Sequence, residues 1–396
     1  MAESSFRTAY RLGIMCLILL SVALLGACAK PQKFEFKRAW PAAPEKPRFH
    51  YERSLYGTAD VMGELTAQEK WMQVATGQGR VSQAFSKPYH VAVYKGRIYL
   101  TDTVAKRVHV MDAPNKRSFS LGDKEDRGKL LKPIGIDVDG NGMVYVADVS
   151  AQRVIMYNQE GNFVRAFGEG KDTPLVKPSG VAVNKEGTRV FVVDTGGVTS
   201  KPEEHRVRVF DVATGKHLFD IGRRGSSEGE FNLPLQATMG PEGNLYVLDS
   251  GNFRVQIFDQ EGNFIRKFGK VGRNFGDLAR PKAIAVDPLG LIYVVDTAFS
   301  NFQIFTPEGQ LMLFIGDRGV SGMPGKYQLP SGVDVDEDGR IYLADQFFRK
   351  IDIFRPDYIP EGTGYFATGE KGQPTEVWEI PTAEEIEQRK EEVLQK

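Results

Sequence analysis

The chain has few of the residues that usually carry covalent or redox chemistry. Among its 396 residues there are two cysteines, Cys16 and Cys28, and five histidines. Two cysteines cannot form a disulfide framework, so the stability of a chain of this length must come from packing. The sequence also contains no P-loop and no CxxCH haem-attachment motif. We therefore predict no cofactor.

An excess of charge of either sign is also missing. The chain has 51 Lys and Arg residues against 51 Asp and Glu residues, so its formal net charge is zero. Proteins that bind nucleic acid through the phosphate backbone usually carry a basic excess. We therefore predict no nucleic-acid partner.

Long apolar runs are absent except for one near the N-terminus. It covers 16 residues, Leu12–Ala27, and follows Arg7 and Arg11. A membrane-spanning helix needs about 20 apolar residues, so the run is short for that role. A basic start, a short apolar run and small residues at its end are typical of a secretory signal, here over residues 1–27.

The tetrapeptide LGAC that ends at Cys28 resembles the lipobox of bacterial lipoproteins. The resemblance implies cleavage before Cys28 and acylation of that residue, while ordinary cleavage beside an incidental cysteine is the alternative. Residues 28–47 contain four prolines and are predicted to be an extended tether. Ala29 follows the cysteine where enteric inner-membrane lipoproteins have aspartate, so the expected location is the outer membrane of a bacterial cell envelope.

The rest of the chain is repetitive. Six apolar segments end in aspartate, with the sequences IYLTD, VYVAD, VFVVD, LYVLD, IYVVD and IYLAD. Their aspartates are Asp102, Asp148, Asp194, Asp249, Asp296 and Asp345, at intervals of 46, 46, 55, 47 and 49 residues. Each copy contains four short segments rich in Val, Ile, Phe and Tyr, separated by turn residues, which predicts four antiparallel strands. Four strands at a period near 50 are typical of a propeller blade.

The copies are identified as similar to NHL repeats. The pattern is a proline, an apolar strand, a glycine turn, the segment ending in aspartate, and a third strand such as RVQIF from Arg254. The resemblance implies an all-β, six-bladed β-propeller over residues 48–356. Blade 4 departs from the pattern, because Gln236 stands where a glycine is usual.

The two ends of the repeat region are predicted to meet in one blade. The sixth copy lacks a clear fourth strand, while Tyr51–Gly57 (YERSLYG) reads as an outer strand without the strands that should precede it. We predict that this segment is the fourth strand of blade 6. Short helices are predicted at Glu64–Val74 and in the tail, residues 357–396, where Thr382 and Glu385 fit a capping box.

Aligned innermost strands suggest a ligand site in the central channel. One column reads His90, Gly135, Gly180, Gln236, Ala283 and Gly332, and the column two residues further reads Ala92, Asp137, Ala182, Thr238, Ala285 and Asp334. Because blades 6, 1 and 2 are neighbours in a closed ring, we predict that His90, Asp137 and Asp334 approach one another at one side of the channel mouth. A cation precedes the opening proline in four copies, at Lys87, Lys132, Lys177 and Arg280, and these are included in the predicted site. An unspecialised polar channel lining is the alternative.

The repeated aspartates are expected to be structural, since all six blades carry them at one position. Some propellers of this type are metal-dependent lyases with several channel histidines, but only His90 lies on an innermost strand here. No metal is therefore assigned, and an enzyme is less consistent with the sequence than a binding scaffold.

Blade 3 carries an insertion, Thr195–His205, between its second and third strands. Loops on a rigid scaffold often hold recognition sites, so we predict a protein partner on the face that includes this insertion. NHL-type lipoproteins resemble components found near multihaem cytochromes. The expected function is a lipid-anchored envelope scaffold for a protein, in a respiratory or cytochrome-associated complex; a hydrolase or lyase with a polar or metal site at the channel mouth is the alternative.

Overall fold

The computed structural model describes residues 38–77, 79, 82–170, 174–196, 201, 204–377, 380 and 385. Residues 38–396 form one compact unit, which is a ring of six β-sheets. The six-bladed β-propeller predicted from the repeats is therefore confirmed. The predicted signal peptide lies outside the described residues, as does most of the predicted C-terminal helix. Among the described residues, no helix has the length and apolar character needed to cross a bilayer.

Each of the first three blades has four antiparallel strands, innermost first. They are β3 Pro88–Tyr94, β4 Arg97–Asp102, β5 Arg107–Asp112 and β6 Arg117–Leu121 in blade 1; β7 Pro133–Val138, β8 Val144–Asp148, β9 Arg153–Tyr157 and β10 Phe163–Phe167 in blade 2; and β11 Pro178–Val183, β12 Arg189–Asp194, β13 Arg206–Asp211 and β14 His217–Ile221 in blade 3.

The remaining blades repeat this order. They contain β15 Pro234–Met239, β16 Leu245–Asp249, β17 Arg254–Phe258 and β18 Phe264–Phe268 in blade 4; β19 Pro281–Val286, β20 Ile292–Asp296, β21 Asn301–Phe305 and β22 Leu311–Ile315 in blade 5; and β25 Pro330–Val335, β26 Ile341–Asp345 and β27 Lys350–Pro356 in blade 6. A short parallel pair, β23 Asp317–Arg318 and β24 Lys326–Tyr327, lies in the linker between blades 5 and 6.

Blade 6 is completed from the N-terminus, as predicted. The strand β2, Phe49–Leu55, pairs antiparallel with β27, and Leu55 lies opposite Ile351. A fifth strand, β1 Ala39–Trp40, then pairs with β2. Part of the predicted tether of residues 28–47 therefore belongs to the sheet. The Trp40 ring also packs against Phe354, with ring centroids 5.3 Å apart.

The core is divided among the six junctions between neighbouring blades. One cluster of buried apolar side chains fills each junction. The second strands contribute to both of their neighbours, since Ile98 and Leu100 face blade 6 while Tyr99 faces blade 2. This two-sided burial explains why these strands read as continuous apolar runs rather than alternating ones. At the closing junction, Leu55 of β2 belongs to the cluster shared by blades 6 and 1.

The innermost strands form a closed ring around the channel, each contacting the next. We call the face at which they begin the entry face; it carries the opening prolines, the linkers between blades and the loops between second and third strands. The opposite exit face carries the turns between first and second and between third and fourth strands. The insertion in blade 3 and the four predicted rim cations therefore belong to the entry face.

Two short α-helices with described bounds lie outside the blades. Helix α1, Ala67–Thr76, begins three residues later than predicted and has a capping box formed by Thr66 and Glu69. None of its residues is buried. Helix α2, Tyr365–Thr368, belongs to the C-terminal tail, where Phe366 packs against Tyr342 of blade 6.

Candidate functional site

The strand-end aspartates hold the entry-face loops in place. The buried Asp148 carboxylate accepts four backbone N–H groups, those of Leu131, Lys132, Ser150 and Ala151, at 2.6 to 3.0 Å. Asp102 binds the corresponding amides of blade 1. The structural role predicted for these residues agrees with this geometry. In blades 1, 2, 3, 5 and 6 this aspartate binds the backbone N–H of the residue before the opening proline, and the side chain of that residue points outward.

That residue is the rim cation in four blades. Lys87, Lys132, Lys177 and Arg280 are all exposed at the entry face. Their backbone N–H groups are held by Asp102, Asp148, Asp194 and Asp296. Within the described residues none of the four side chains forms an ion pair or a hydrogen bond. The rim therefore presents fixed but unneutralised positive charges.

A fifth cation at the mouth, Lys282, was not found from the sequence. Its ammonium lies 4.9 Å from the centroid of the Tyr89 ring, which comes from blade 1 on the other side of blade 6. Burial, followed by the charges of Arg280 and Lys87, lowers the pKa of Lys282 to about 8. Three cations from two blades thus converge at one side of the mouth. Only the position of Lys282 directly after an opening proline could have indicated its location.

A cavity of about 370 Å³ opens on the entry face between blades 3, 4 and 5. Leu233, Leu235 and Phe253 supply its apolar walls, while Lys177 and Arg280 stand at its edge. Its hydroxyl groups are already engaged, since Ser250 donates to the carbonyl of Pro281 and Thr195 to that of Pro234. The cavity therefore offers an apolar surface between two free cations. Neither Leu233 nor Phe253 was singled out in the sequence.

The first channel column is tightly packed. A Cβ added to Gly332 would lie 2.7 Å from the Cα of His90, and one added to Gly135 would lie 2.8 Å from the Cα of Gly180. Glycine is therefore required here by the close approach of neighbouring strands. The two polar members of this column, His90 and Gln236, lie in blades on opposite sides of the ring, and both are buried.

His90 and Gln236 are unsatisfied. Among the described residues, neither ring nitrogen of His90 and neither amide atom of Gln236 has a hydrogen-bond partner. Burial lowers the pKa of His90 to about 4 against a smaller opposing effect of the nearby Ile136 backbone, so the imidazole is neutral at neutral pH. Buried polar groups in native proteins are usually paired with protein or with water, so this layer of the channel can accept a small polar molecule.

The two channel carboxylates are held by neighbouring blades. Asp137 accepts the backbone N–H of Val183 at 2.8 Å, and Asp334 accepts that of Val93 at 2.7 Å. Burial raises the pKa of Asp137 to about 7. Burial, followed by the charge of Asp137, raises the pKa of Asp334 well above its usual range. The structure therefore brings the two carboxyl groups within electrostatic reach of each other.

The predicted trio is only partly assembled. In the described chain, no hydrogen bond joins His90 to either carboxylate, and His90 lies one layer nearer the entry face. No group of three His, Cys, Asp or Glu side chains among these residues could hold a metal ion. The rim cations form a separate, third level. The seven predicted site residues thus divide into a cationic rim, a neutral imidazole layer and a carboxyl pair.

The blade 3 insertion is described at its ends, Thr195, Gly196, Lys201, Glu204 and His205, and the rest lies outside the described residues. Both of its ends are built into the disc. His205 is buried and its Nδ1 accepts the backbone N–H of Leu233, while Thr195 lines the cavity. The insertion therefore starts at the cavity wall.

Comparisons with known proteins support the repeat and the fold. A family model of the NHL repeat matches residues 231–258. The chain is 29% identical over 143 residues to the protein brain tumor of Drosophila melanogaster, covering 36% of this chain and 13% of that protein. It is 28% identical over 149 residues to a probable peptidyl-alpha-hydroxyglycine alpha-amidating lyase of Caenorhabditis elegans, covering 35% of this chain and 37% of that one. These matches thus span much less than half of either relative.

Solved structures share the architecture at low identity. A gluconolactonase from Xanthomonas campestris has a TM-score of 0.52 at 16% identity, covering 69% of this chain and 86% of that chain. A Bacteroides thetaiotaomicron protein of unknown function has a TM-score of 0.55 at 16% identity, covering 70% and 72%. Identity at this level shows the fold and not the activity. The chain is a six-bladed β-propeller with an NHL repeat in its fourth blade.

Proposed function

We propose that this chain is a binding scaffold of the bacterial cell envelope, anchored by a lipid on Cys28, that captures a partner protein on its entry face. The observation that carries the binding proposal is the group of unpaired cations around a cavity with apolar walls. A respiratory, cytochrome-containing complex of the outer membrane is the setting suggested by the sequence resemblance, and it is part of the proposal.

The charges at the mouth favour an acidic partner segment. Lys282 lies close enough to Arg280 and Lys87 for their charges to lower its pKa, so an anion placed among the three would relieve repulsion. Because the rim side chains are exposed, such an interaction is screened by salt. Binding should therefore weaken steeply as the ionic strength rises.

The cavity supplies the apolar part of the recognition. Lys177 and Arg280 stand on its edge, and its walls include Leu233, Leu235 and Phe253. A segment with one aromatic or aliphatic side chain flanked by Asp or Glu matches this arrangement in shape and charge. Buried apolar anchors surrounded by polar contacts are the usual basis of affinity at protein interfaces.

The binding proposal is tested by capture from solubilised native membranes with the acylated protein as bait and quantitative mass spectrometry as readout. The double variant Lys177→Glu/Arg280→Glu should capture at least about tenfold less of the partner than the unmodified protein does, as expected for two charges reversed at a binding site. The matched control is Lys185→Glu/Lys216→Glu, which reverses two exposed cations on the exit face. Equal capture by both double variants would contradict the proposal.

The anchor is tested separately by Cys28→Ser. Acyl chains contribute about 0.8 kcal/mol for each buried CH₂ group, so losing them should move the protein from the membrane pellet to the soluble fraction. Mass spectrometry of the mature N-terminus is the accompanying measurement. A Cys28→Ser protein that still sediments with membranes would disprove the lipid anchor.

A hydrolase or lyase acting in the channel is the second candidate. The unsatisfied side chains of His90 and Gln236 and the carboxyl pair of Asp137 and Asp334 are the observations that favour it. The similarity of part of the chain to an amidating lyase points the same way. Metal analysis of the purified protein, repeated on His90→Gly, decides between the two: one equivalent of metal lost on substitution would favour the enzyme.

A further inference from the structure

Blade 6 exposes an unusual group of apolar side chains on the entry face. Tyr56, Val320, Met323 and Phe347 form it, and we call them the blade-6 patch. Their side chains are 48%, 98%, 49% and 53% exposed, respectively. Side chains this exposed contribute little to the core, so the patch has no structural explanation within the disc.

The patch is a single, supported surface. The Tyr56 hydroxyl donates to the carbonyl of Gly322 at 3.4 Å, which joins the end of β2 to the linker loop that carries Val320 and Met323. From below, the buried ammonium of Lys350 donates to the carbonyls of Gly322 and Met323 at 3.2 and 3.0 Å. These hydrogen bonds therefore fix the linker loop in the position in which its apolar side chains project into solvent.

Phe347 joins the patch from the neighbouring loop. Its ring packs edge-on against Phe348, with centroids 5.1 Å apart. Phe348 in turn lies under the linker loop, since a Cβ on Gly322 would be 3.5 Å from its side chain. Two separate entry-face loops thus present one apolar surface.

The compact unit begins beside this patch. Arg38 donates from its guanidinium to the carbonyl of Pro324, in the same linker loop, at 3.3 Å. The strand β1 pairs antiparallel with β2, which runs toward the entry face. Followed toward the N-terminus, the backbone at Arg38 therefore points to the entry side of blade 6.

The distance to the proposed lipid is short. Ten peptide steps separate Cys28 from Arg38, and ten residues span at most about 35 Å when fully extended. A lipid on Cys28 therefore keeps blade 6 within about 35 Å of the bilayer surface.

Two free cations accompany the apolar side chains. Arg318 lies at the start of the linker loop and Arg349 follows Phe347 by two residues; both are exposed. Neither forms an ion pair or a hydrogen bond among the described residues. Exposed apolar side chains with adjacent Arg residues are typical of surfaces that bind the interface of an anionic membrane.

We propose that the blade-6 patch docks on the anionic lipid surface next to the anchor. Val320, Met323 and Phe347 enter the headgroup region, and Arg318 and Arg349 pair with lipid phosphates. The inference rests on the proposed anchor at Cys28. Because blade 3 lies opposite blade 6 in a ring of six, the inserted loop is on the part of the entry face farthest from the docked patch.

Depth-dependent fluorescence quenching tests this orientation. A single cysteine replaces Ser321, an exposed residue within the linker loop but outside the patch, and the control replaces the exposed Glu308 on the exit face. The acylated, signal-processed chain has no other free thiol. Each labelled protein is reconstituted on phosphatidylglycerol vesicles that contain a headgroup-level lipid quencher. We expect at least about twofold more quenching at position 321 than at position 308.

Three outcomes are distinguishable. Failure of the labelled proteins to sediment with vesicles would disprove the anchor and with it the proposed function. Sedimentation with equal quenching at the two positions would overturn only the docking proposal. Stronger quenching at position 321 in native membranes but not in pure lipid vesicles would also overturn it, because it would show that a membrane protein covers the patch.

A charge reversal sharpens the result. Arg349→Glu should bring the quenching at position 321 close to that at position 308, because it places an anion beside lipid phosphates. The matched control is Arg273→Glu, an exposed and unpaired Arg in the linker between blades 4 and 5. If the two variants reduce quenching equally, a general loss of positive charge explains the effect and the blade-6 patch is not the docking surface.

Discussion

The entry and exit faces of the disc use their charged residues differently. On the exit face, turn carboxylates such as Asp139 accept backbone N–H groups and the hydroxyl of a tyrosine on the next strand, here Tyr145. Asp336 is bound in the same way, with Tyr342 as the donor. On the entry face, buried aspartates perform this task and the rim cations do not. The exit-face acids therefore complete the fold, while the entry-face cations are free to bind something else.

The apolar surface follows the same division. Val104, Val271, Phe275, Val320 and Phe347 all project from entry-face loops and are more than half exposed. The inserted loop and the cavity are on the same side. The difference teaches that the repeat builds one face for stability and lets the other vary, since within the described residues these strongly exposed apolar loop side chains lie on the entry face. The following experiments test this comparison, from the largest expected effect to the smallest.

Removing the closing strand should destroy both faces at once. Deletion of residues 48–57 takes β2 from blade 6 and Leu55 from the junction with blade 1. Unpaired strand edges and a lost core cluster should cost on the order of 5 kcal/mol or more of the free energy of unfolding. Chemical denaturation followed by circular dichroism measures this.

Replacing helix α1, residues 67–76, by a Gly-Ser linker is the matched control for that deletion. It changes the same number of residues in the same region, and none of them is buried. The control should unfold within about 1 kcal/mol of the unmodified protein. Equal losses of unfolding free energy in the two variants would show that the closing strand contributes no more to stability than an exposed helix of the same length.

The next largest effect should come from a strand-end aspartate. Asp148→Ala removes the acceptor for four backbone N–H groups at the entry face and should cost about 2–4 kcal/mol. Asp259→Ala removes an acceptor in a solvent-exposed exit-face turn, where water can replace it. This variant should lose less than about 1 kcal/mol of the free energy of unfolding. Thermal unfolding compares the two. Similar losses of stability in the two variants would mean that the buried aspartate hydrogen bonds do not stabilise the entry-face loops.

The channel carboxyl pair should make stability depend on pH. Because burial raises the pKa of Asp137 from 3.8 to about 7, the folded chain keeps a proton that the unfolded chain releases between about pH 4 and 7. The free energy of unfolding therefore contains a term that falls as the pH rises through this window. Asp137→Asn should reduce that fall by about 1–3 kcal/mol, partly because the pKa of Asp334 drops as well.

Denaturant unfolding at several pH values measures this term. Asp259→Asn is the control, since hydrogen bonds from Asn263 lower the pKa of Asp259 in its exit-face turn. Its variant should keep the fall between pH 4 and 7. An unchanged pH dependence in Asp137→Asn would mean that this carboxyl group is fully hydrated in the channel.

Shortening the insertion should have the smallest effect on stability. Replacing residues 197–203 by a short Gly-Ser turn leaves Thr195 and His205, whose contacts belong to blade 3, in place. The change in the free energy of unfolding should stay below about 1 kcal/mol, while capture of the partner weakens. Thr195→Val is the contrasting variant, because it should lower stability without shortening the loop. Undiminished capture by the shortened protein would place the partner elsewhere.

The site could be predicted from the sequence only within single blades. Alignment of the repeats correctly indicated that His90, Asp137 and Asp334 lie on innermost strands and that four cations precede the opening prolines. It predicted that His90 approaches the carboxyl groups, and in the structure His90 lies one layer nearer the entry face with no hydrogen bond to either of them among the described residues. The meeting of Lys282 with Tyr89 was missed, because these residues come from blades 5 and 1 and no repeat position encodes their distance.

The sequence by itself determined the period, the four strands of each blade, the aspartates that support the loops and the joining of the two chain ends in blade 6. These features depend on local strand patterns repeated six times, so each copy reinforces the others. Only the tertiary structure decided where blades meet: the cavity between blades 3, 4 and 5, the docking of Trp40 on blade 6, and the blade-6 patch beside Arg38. Such features arise from side chains that are far apart in the chain and become neighbours only when the ring closes.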